Sequence, residues 1–238
     1  MTTSKRALLI IPAYNEQDSI QATIQTIKAS SYDYIIINDG STDNTSKILD
    51  ENDCQHIDLC FNLGIGGAVQ TGYKYALENN YDIAIQFDAD GQHDISYIDK
   101  LIEPIVNHQA NLTIGSCFID KLSKNHRSSK IRRFGIHFLS NIIRIFSGKR
   151  IHDPTSGFRA ADRQIIERFA NNYPLEYPEP ISNFELLKST NLIIKEIPVK
   201  MNKRTAGKSS ISSCKTLYAG INVLLSIIIL SLKRKSHD

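Results

Sequence analysis

The sequence predicts an α/β protein: a mostly parallel sheet flanked by helices, followed by an apolar C-terminal helix. Two observations carry that prediction. Short apolar runs alternate with helical segments through the first half of the chain, and each run ends in polar or conformationally special residues. Alternation with short connections implies right-handed β-α-β crossovers, hence a parallel sheet covered by helices. Apolar residues make up 41% of the 238 positions, enough to bury a full core and to exclude wholesale disorder.

Residues 7–11 form a continuous apolar run stopped by Pro12, the pattern of a strand buried on both faces. Ile20, Ile24 and Ile27 then fall on one face of a helix. A second buried strand covers residues 34–37, and Thr42 or Asp43 caps a short helix ending near Leu49. Residues 57–61 are a third strand candidate, residues 67–78 a helix, and residues 83–87 a fourth strand. Further on, residues 112–115 and 192–199 read as strands and residues 131–146 as a helix. No repeat or low-complexity linker demands a second independent domain. The chain divides into a main unit, residues 1–210, and a C-terminal helix with a basic tail, residues 211–238.

In such a sheet, ligands sit outside the carboxyl ends of the strands. Three segments place their special residues there: Tyr14-Asn15-Glu16, Asp39-Gly40-Ser41 and Asp88-Ala89-Asp90. Two carboxylates one residue apart suit a hard cation, Mg²⁺ or Mn²⁺, that also takes phosphate oxygens. Asp88 and Asp90 are the candidate ligands. His93 is a further ligand, a phosphate contact or a surface turn residue. Asp39 ends a strand made almost wholly of isoleucine and is read as a contact to a nucleoside base or ribose, or else as a turn residue. Tyr14 can stack on a base; Glu16 can accept a ribose hydroxyl or cap the next helix. Gly64, Gly66 and Gly67 read as a tight turn bringing a helix N-terminus near a donor, not as a dinucleotide fingerprint, because Val69 occupies the last glycine position.

Taken in order, Pro12-Ala13-Tyr14-Asn15-Glu16, Asn38-Asp39-Gly40-Ser41-Thr42-Asp43, Asn62 with Gly64-Ile65-Gly66-Gly67-Ala68, and Asp88-Ala89-Asp90-Gly91-Gln92-His93 resemble the family-2 glycosyltransferases of the GT-A fold. The likeness is greatest to the branch that glycosylates dolichyl or polyprenyl phosphate. It continues more weakly through Asp153-Pro154-Thr155-Ser156-Gly157-Phe158-Arg159 and Arg204-Thr205-Ala206-Gly207-Lys208. The resemblance implies that Pro12, Tyr14, Glu16, Ile37 and Asp39 line a nucleoside pocket. It also implies that Asp88, Ala89 and Asp90 meet metal and diphosphate, that Arg204 approaches the donor phosphates, and that the anomeric centre inverts. Cys117 follows Gly115-Ser116 where many relatives carry an arginine.

The expected reaction moves a sugar from a nucleotide-diphosphate donor to a lipid phosphate or lipid-linked glycan, in surface polysaccharide or glycolipid synthesis. A hydroxyl acceptor needs a carboxylate base, for which Asp153 and Glu179 are candidates; a lipid phosphate needs cations instead. The alternatives are a sugar-nucleotide nucleotidyltransferase, disfavoured by an N-terminal loop without glycine or cation, and a non-catalytic nucleotide-sugar-binding regulator. A net charge of +3 does not indicate nucleic acid, yet residues 121–150 contain nine Lys or Arg and no acid. That stretch reads as solvated surface or as attraction to phosphate. Residues 217–232 are apolar but fall short of the ~20 needed to span a bilayer. They read as a core helix, an interfacial helix, or a contact for a small membrane-protein partner. Four cysteines without paired spacing indicate a reducing, cytoplasmic setting, and the N-terminal apolar run is too short for a signal peptide. The expected location is peripheral, at the inner face of the membrane.

Overall fold

The computed structural model describes residues 5–119, 130–189, 191–202 and 213–232. Its strands are β1 (Ala7–Ala13), β2 (Asp33–Asn38), β3 (His56–Asp58), β4 (Ile83–Gln86), β5 (Leu112–Ser116), β6 (Arg159–Asp162) and β7 (Ile194–Pro198). The helices are α1 (Ile20–Lys28), α2 (Thr45–Glu51), α3 (Gly64–Glu78), α4 (Ile98–Val106), α5 (Lys130–Ser147), α6 (Arg163–Asn171), α7 (Pro178–Lys188) and α8 (Ser213–Leu232). The strands form one sheet in the order β3-β2-β1-β4-β6-β5-β7. β3, β2, β1 and β4 pair in parallel, as do β5 and β7; β6 runs antiparallel to both its neighbours.

Strand β1 shows why the sheet needs cover on both sides. Leu8 and Ile10 point into one core, with Val69, Tyr73 and Ala76 of α3 and Ile165, Ile166 and Phe169 of α6. Leu9 and Ile11 point into the other, with Ile20, Ile24 and Ile27 of α1 and Ile98, Leu101 and Ile105 of α4. The period-2 alternation of a strand thus feeds two helical layers from one continuous apolar run. Helix α3 lies very close to the sheet: a Cβ on Gly72 would stand 2.2 Å from Ile10 Cγ2. Asp162 closes β6 and opens α6 by accepting from the Ile165 N–H at 2.9 Å.

The sequence reading needs several corrections. β6, α4, α6 and α7 were not anticipated. The third strand stops at Asp58, and α3 starts at Gly64 rather than at residue 67. At the other end, α8 packs Val223 and Ile227 into the core beside Ile142 and Ile143 of α5. Among the described residues, no helix is long and apolar enough to cross a membrane.

Candidate active site

Parallel pairing puts the carboxyl ends of β2, β1 and β4 on one edge of the sheet. Register sets Pro12 opposite Ile37 and Ala13 opposite Asn38. The ladder runs on past the strands, with Asp39 N–H donating to Ala13 O at 2.8 Å and Phe87 N–H to Ile10 O at 2.9 Å. Beyond it, side chains stitch the loops together. Asn15 N–H donates to Ser41 Oγ at 2.9 Å, and Thr42 N–H to Asn15 Oδ1 at 2.8 Å. Asn15 holds φ at 53°, the left-handed turn that lets its side chain reach across. Because β2 and β4 are both neighbours of β1, the ends carrying Asp39 and Asp88 lie two strand spacings apart, about 10 Å.

Asp39 is only 3% exposed. Its Oδ1 accepts from Leu63 N–H, at the N-terminus of α3, at 2.7 Å. Burial raises its carboxyl above the usual range, against the lowering effect of the Leu63 and Gly64 amides. Gly64 has φ +80°, the tight turn the sequence indicated, and the helix end it opens is bound to Asp39. Tyr14 is exposed, and Pro12 and Ile37 are buried beneath the loops. The Glu16 carboxylate accepts from the hydroxyl of Ser19, the N-cap residue of α1.

The segment after β4 is held from three sides. Thr23 of α1 donates to Ala89 O at 2.8 Å, Gln92 N–H donates to Asp90 Oδ1 at 2.9 Å, and Asp88 N–H donates to His93 Nδ1 at 2.9 Å. An N–H can only donate, so His93 Nδ1 is the acceptor and the ring proton sits on Nε2, 3.5 Å from Asp88 Oδ2. His93 is buried and stacks on Phe158 with centroids 4.6 Å apart. Burial pushes its pKa down to about 4, opposed by Asp90 and Glu179. A ring held this way braces the carboxylate loop, and its burial corrects the reading of His93 as a surface turn residue.

Two residues that sequence reasoning did not single out complete the site. A Cβ on Gly157 would stand 2.9 Å from Gln86 Nε2 and 3.3 Å from Asp88 Oδ2, so any larger residue would have to displace these side-chain ends. Gln86 Nε2 donates to Glu179 Oε1 at 3.3 Å. Behind Glu179, Arg159 is wholly buried; it donates to Ser182 Oγ at 3.0 Å, to Asn183 Oδ1 at 3.2 Å and to the Tyr173 hydroxyl. Burial raises the Glu179 carboxyl, with Arg159 opposing.

Of the two candidate bases, the structure therefore brings Glu179 to the Asp88 side. Asp153 sits in a turn instead, accepting from Thr155 Oγ1 at 3.1 Å, with its N–H donating to Glu196 Oε1 at 2.9 Å. Arg204 lies outside the described residues; the described chain reaches Asn202, whose N–H donates to Gln92 O at 2.8 Å.

Among the described residues, no group of three or more His, Cys, Asp or Glu is arranged to hold a metal. Asp88 and Asp90 alone would leave most of a coordination sphere to phosphate oxygens and water, which is how Mg²⁺ is commonly held beside a nucleotide. A cavity of about 420 Å³ lies at the opposite edge of the sheet among Lys5, Asp82, Asp162 and Arg163, away from this chemistry.

The fold and this edge define a class: an α/β enzyme that takes its ligand at the carboxyl ends of parallel strands. The chain belongs to glycosyl transferase family 2, whose family model matches residues 8–170. It is 34% identical over 217 residues to the UDP-N-acetylglucosamine–dolichyl-phosphate N-acetylglucosaminyltransferase of Methanococcus voltae, covering 82% of this chain and 85% of that one. It is 28% identical over 236 residues to the undecaprenyl-phosphate mannosyltransferase of Micrococcus luteus, with 92% of each covered. Glucosyl-3-phosphoglycerate synthase from Mycobacterium tuberculosis shares the fold, with TM-score 0.70 and 17% identity over 98% of this chain and 82% of that one. The same enzyme has been crystallised with Mn²⁺ and uridine diphosphate (TM-score 0.68, 16% identity, 98% and 81% covered). The protein is thus a glycosyltransferase, and the nucleotidyltransferase and regulator alternatives are set aside.

Proposed function

We propose that this glycosyltransferase moves a sugar from a nucleoside-diphosphate donor to a polyprenyl phosphate, or to a related lipid-linked glycan, with Mg²⁺ or Mn²⁺ and with inversion at the anomeric carbon. The observation that carries the reading is the single edge where hydrogen-bonded loops bring Asp39, Asp88 and Asp90 together. Relatives that act on dolichyl and undecaprenyl phosphate support the acceptor class.

In this reading Pro12, Tyr14, Glu16, Ile37, Asp39 and Gly64 line the nucleoside side, while Asp88, Ala89 and Asp90 face the diphosphate. Arg204 follows two residues after Asn202 and adds a cation to the phosphates. A bound divalent cation, held by Asp88 and Asp90, supplies Lewis-acid stabilisation of the departing diphosphate. The acceptor oxygen attacks from the face opposite the leaving group, forming the new C–O bond as the old one breaks. A lipid phosphate arrives already anionic; a hydroxyl acceptor would give its proton to Glu179, whose raised carboxyl suits that task. Residues 1–210 are the catalytic unit in this reading, and residues 211–238, which carry α8 (Ser213–Leu232), follow it. A lipid acceptor, with Cys54 and Cys60 outside any disulfide, supports work at the cytoplasmic, inner face of a membrane.

A panel of nucleotide sugars screened by thermal shift with Mn²⁺ tests this. The true donor raises the midpoint by linkage, and Asp90→Ala abolishes the metal-dependent part of the rise. An Asp90→Ala chain that keeps the full shift contradicts the metal assignment.

A further inference from the structure

Helices α5 and α8 pack against each other, and each also packs against α7. Each buries one apolar face and leaves another uncovered. On α8, Val223 and Ile227 enter the core, while Ile221, Leu225, Ile229 and Leu232 stand 50%, 51%, 59% and 79% exposed. Those four recur at helical spacing, so they form one stripe. On α5, Ile136, Ile142 and Ile143 are buried, while Phe134, Phe138 and Ile145 are 74%, 53% and 76% exposed. Two neighbouring helices with uncovered apolar stripes exceed the scattered exposed residues of an ordinary soluble surface.

Charge decides what covers them. Arg133, Arg144, Lys149 and Arg150 are all exposed along α5 and just beyond it. Neither α5 nor α8 contains a single acidic residue. A second copy docked through these stripes would set cations against cations with no carboxylate on either helix to pair them. An anionic bilayer offers both an apolar interior for the stripes and negative headgroups for the basic rim.

A smaller cavity continues the same surface. It measures about 260 Å³, and Lys149 and Arg150 line it together with Leu187, Leu192, Ile193, Ile194 and Glu196, whose carboxylate is taken up by His152 and the Asp153 N–H. Next to Leu187, Lys188 donates to Leu230 O at 2.7 Å and so ties the end of α7 to the end of α8. Cations above apolar walls suit an anionic headgroup and the first carbons of its chain. Helix α7 begins beside the site at Glu179, about 12 Å along its axis from Leu187.

We infer that the α5–α8 face is a monotopic docking surface for an anionic lipid bilayer, seated without a membrane-spanning segment among the described residues. The inference rests on the lipid-acceptor reading for its purpose but not for its test. Flotation of the purified full chain on phosphatidylcholine vesicles, with and without phosphatidylglycerol, is the experiment. The chain is expected to float with the anionic vesicles alone and to be released by high salt. Phe134→Ser with Phe138→Ser, and separately Arg133→Glu with Arg144→Glu, should each weaken vesicle binding about tenfold or more. Both variants lie away from the sugar-donor site, so their transfer to a short, water-soluble isoprenyl phosphate should match the parent. Circular dichroism confirms that each is folded.

Three outcomes overturn the inference: equal flotation of parent and folded variants, flotation with neutral vesicles alone, or a parent that stays in solution as a dimer which the Phe variant splits. Vesicle binding without any transfer to isoprenyl phosphate would leave the docking surface standing and remove the acceptor assignment.

Discussion

Asp39 ends β2 on the ligand edge and also holds the amino end of α3. Its carboxyl is raised by burial, so an unfolded Asp39 ionises near 3.8 and the folded one at higher pH. Between those values the folded state binds more protons, and stability falls as pH rises; at neutral pH the penalty is complete. Asp39→Asn keeps an oxygen for Leu63 and removes the charge. The ligand-free variant is therefore predicted to gain thermal stability relative to the parent at pH 7 but not at pH 4, while donor binding weakens at least about tenfold through the loss of a charge-assisted contact. Equal effects at both pH values would contradict this. At Gly157, Ala should lower turnover strongly with little change in melting temperature, because the added carbon meets the movable end of Gln86 and then Asp88; an unfolded Gly157→Ala chain would show a structural role instead. At this scale the sequence disclosed the carboxylates but not their neighbours. Asp39, Asp88 and Asp90 stand out because they directly follow apolar strand runs. Gly157 and Gln86 do not, since only strand pairing reveals that they touch the site.

Strand β6 and helix α7 were invisible to periodicity for a physical reason. β6 is four residues long, and its sequence, RAAD, opens with an arginine that hydropathy assigns to the surface. The fold buries that arginine by giving its guanidinium three neutral partners on α7 and at Tyr173. α7 itself begins with two prolines and carries serine and asparagine on its buried side, where they answer Arg159. By contrast, α4 is legible from periodicity: Ile98, Leu101 and Ile105 fall on one face. Since Arg159 ties α7, and with it Glu179, to the sheet, Arg159→Met should cost about 2–4 kcal/mol by stranding those partners. Denaturant unfolding measures it; a loss under about 1 kcal/mol, within the range of an ordinary exposed substitution, would show that the tether is dispensable.

Across the whole molecule, the parallel half of the sheet could be read from its isoleucine-rich strands, and with it the edge where the loops meet. In the second half β5, α5 and β7 could be read but not their places in the sheet, because β6 reverses direction and joins strands distant in sequence. Family membership and fold follow from the first half; the proposed acceptor and membrane contacts fall in the second. The account stands or falls on whether the loops after β1, β2 and β4 make one site. A crystal structure of the chain grown with Mn²⁺ and the nucleoside diphosphate chosen by the thermal-shift panel tests this most directly. The anomalous manganese peak should lie between the Asp88 and Asp90 carboxylates and the two phosphates, with the nucleoside beside Asp39 and Tyr14. A manganese peak away from both carboxylates, or a nucleoside bound elsewhere than at Asp39, would contradict it.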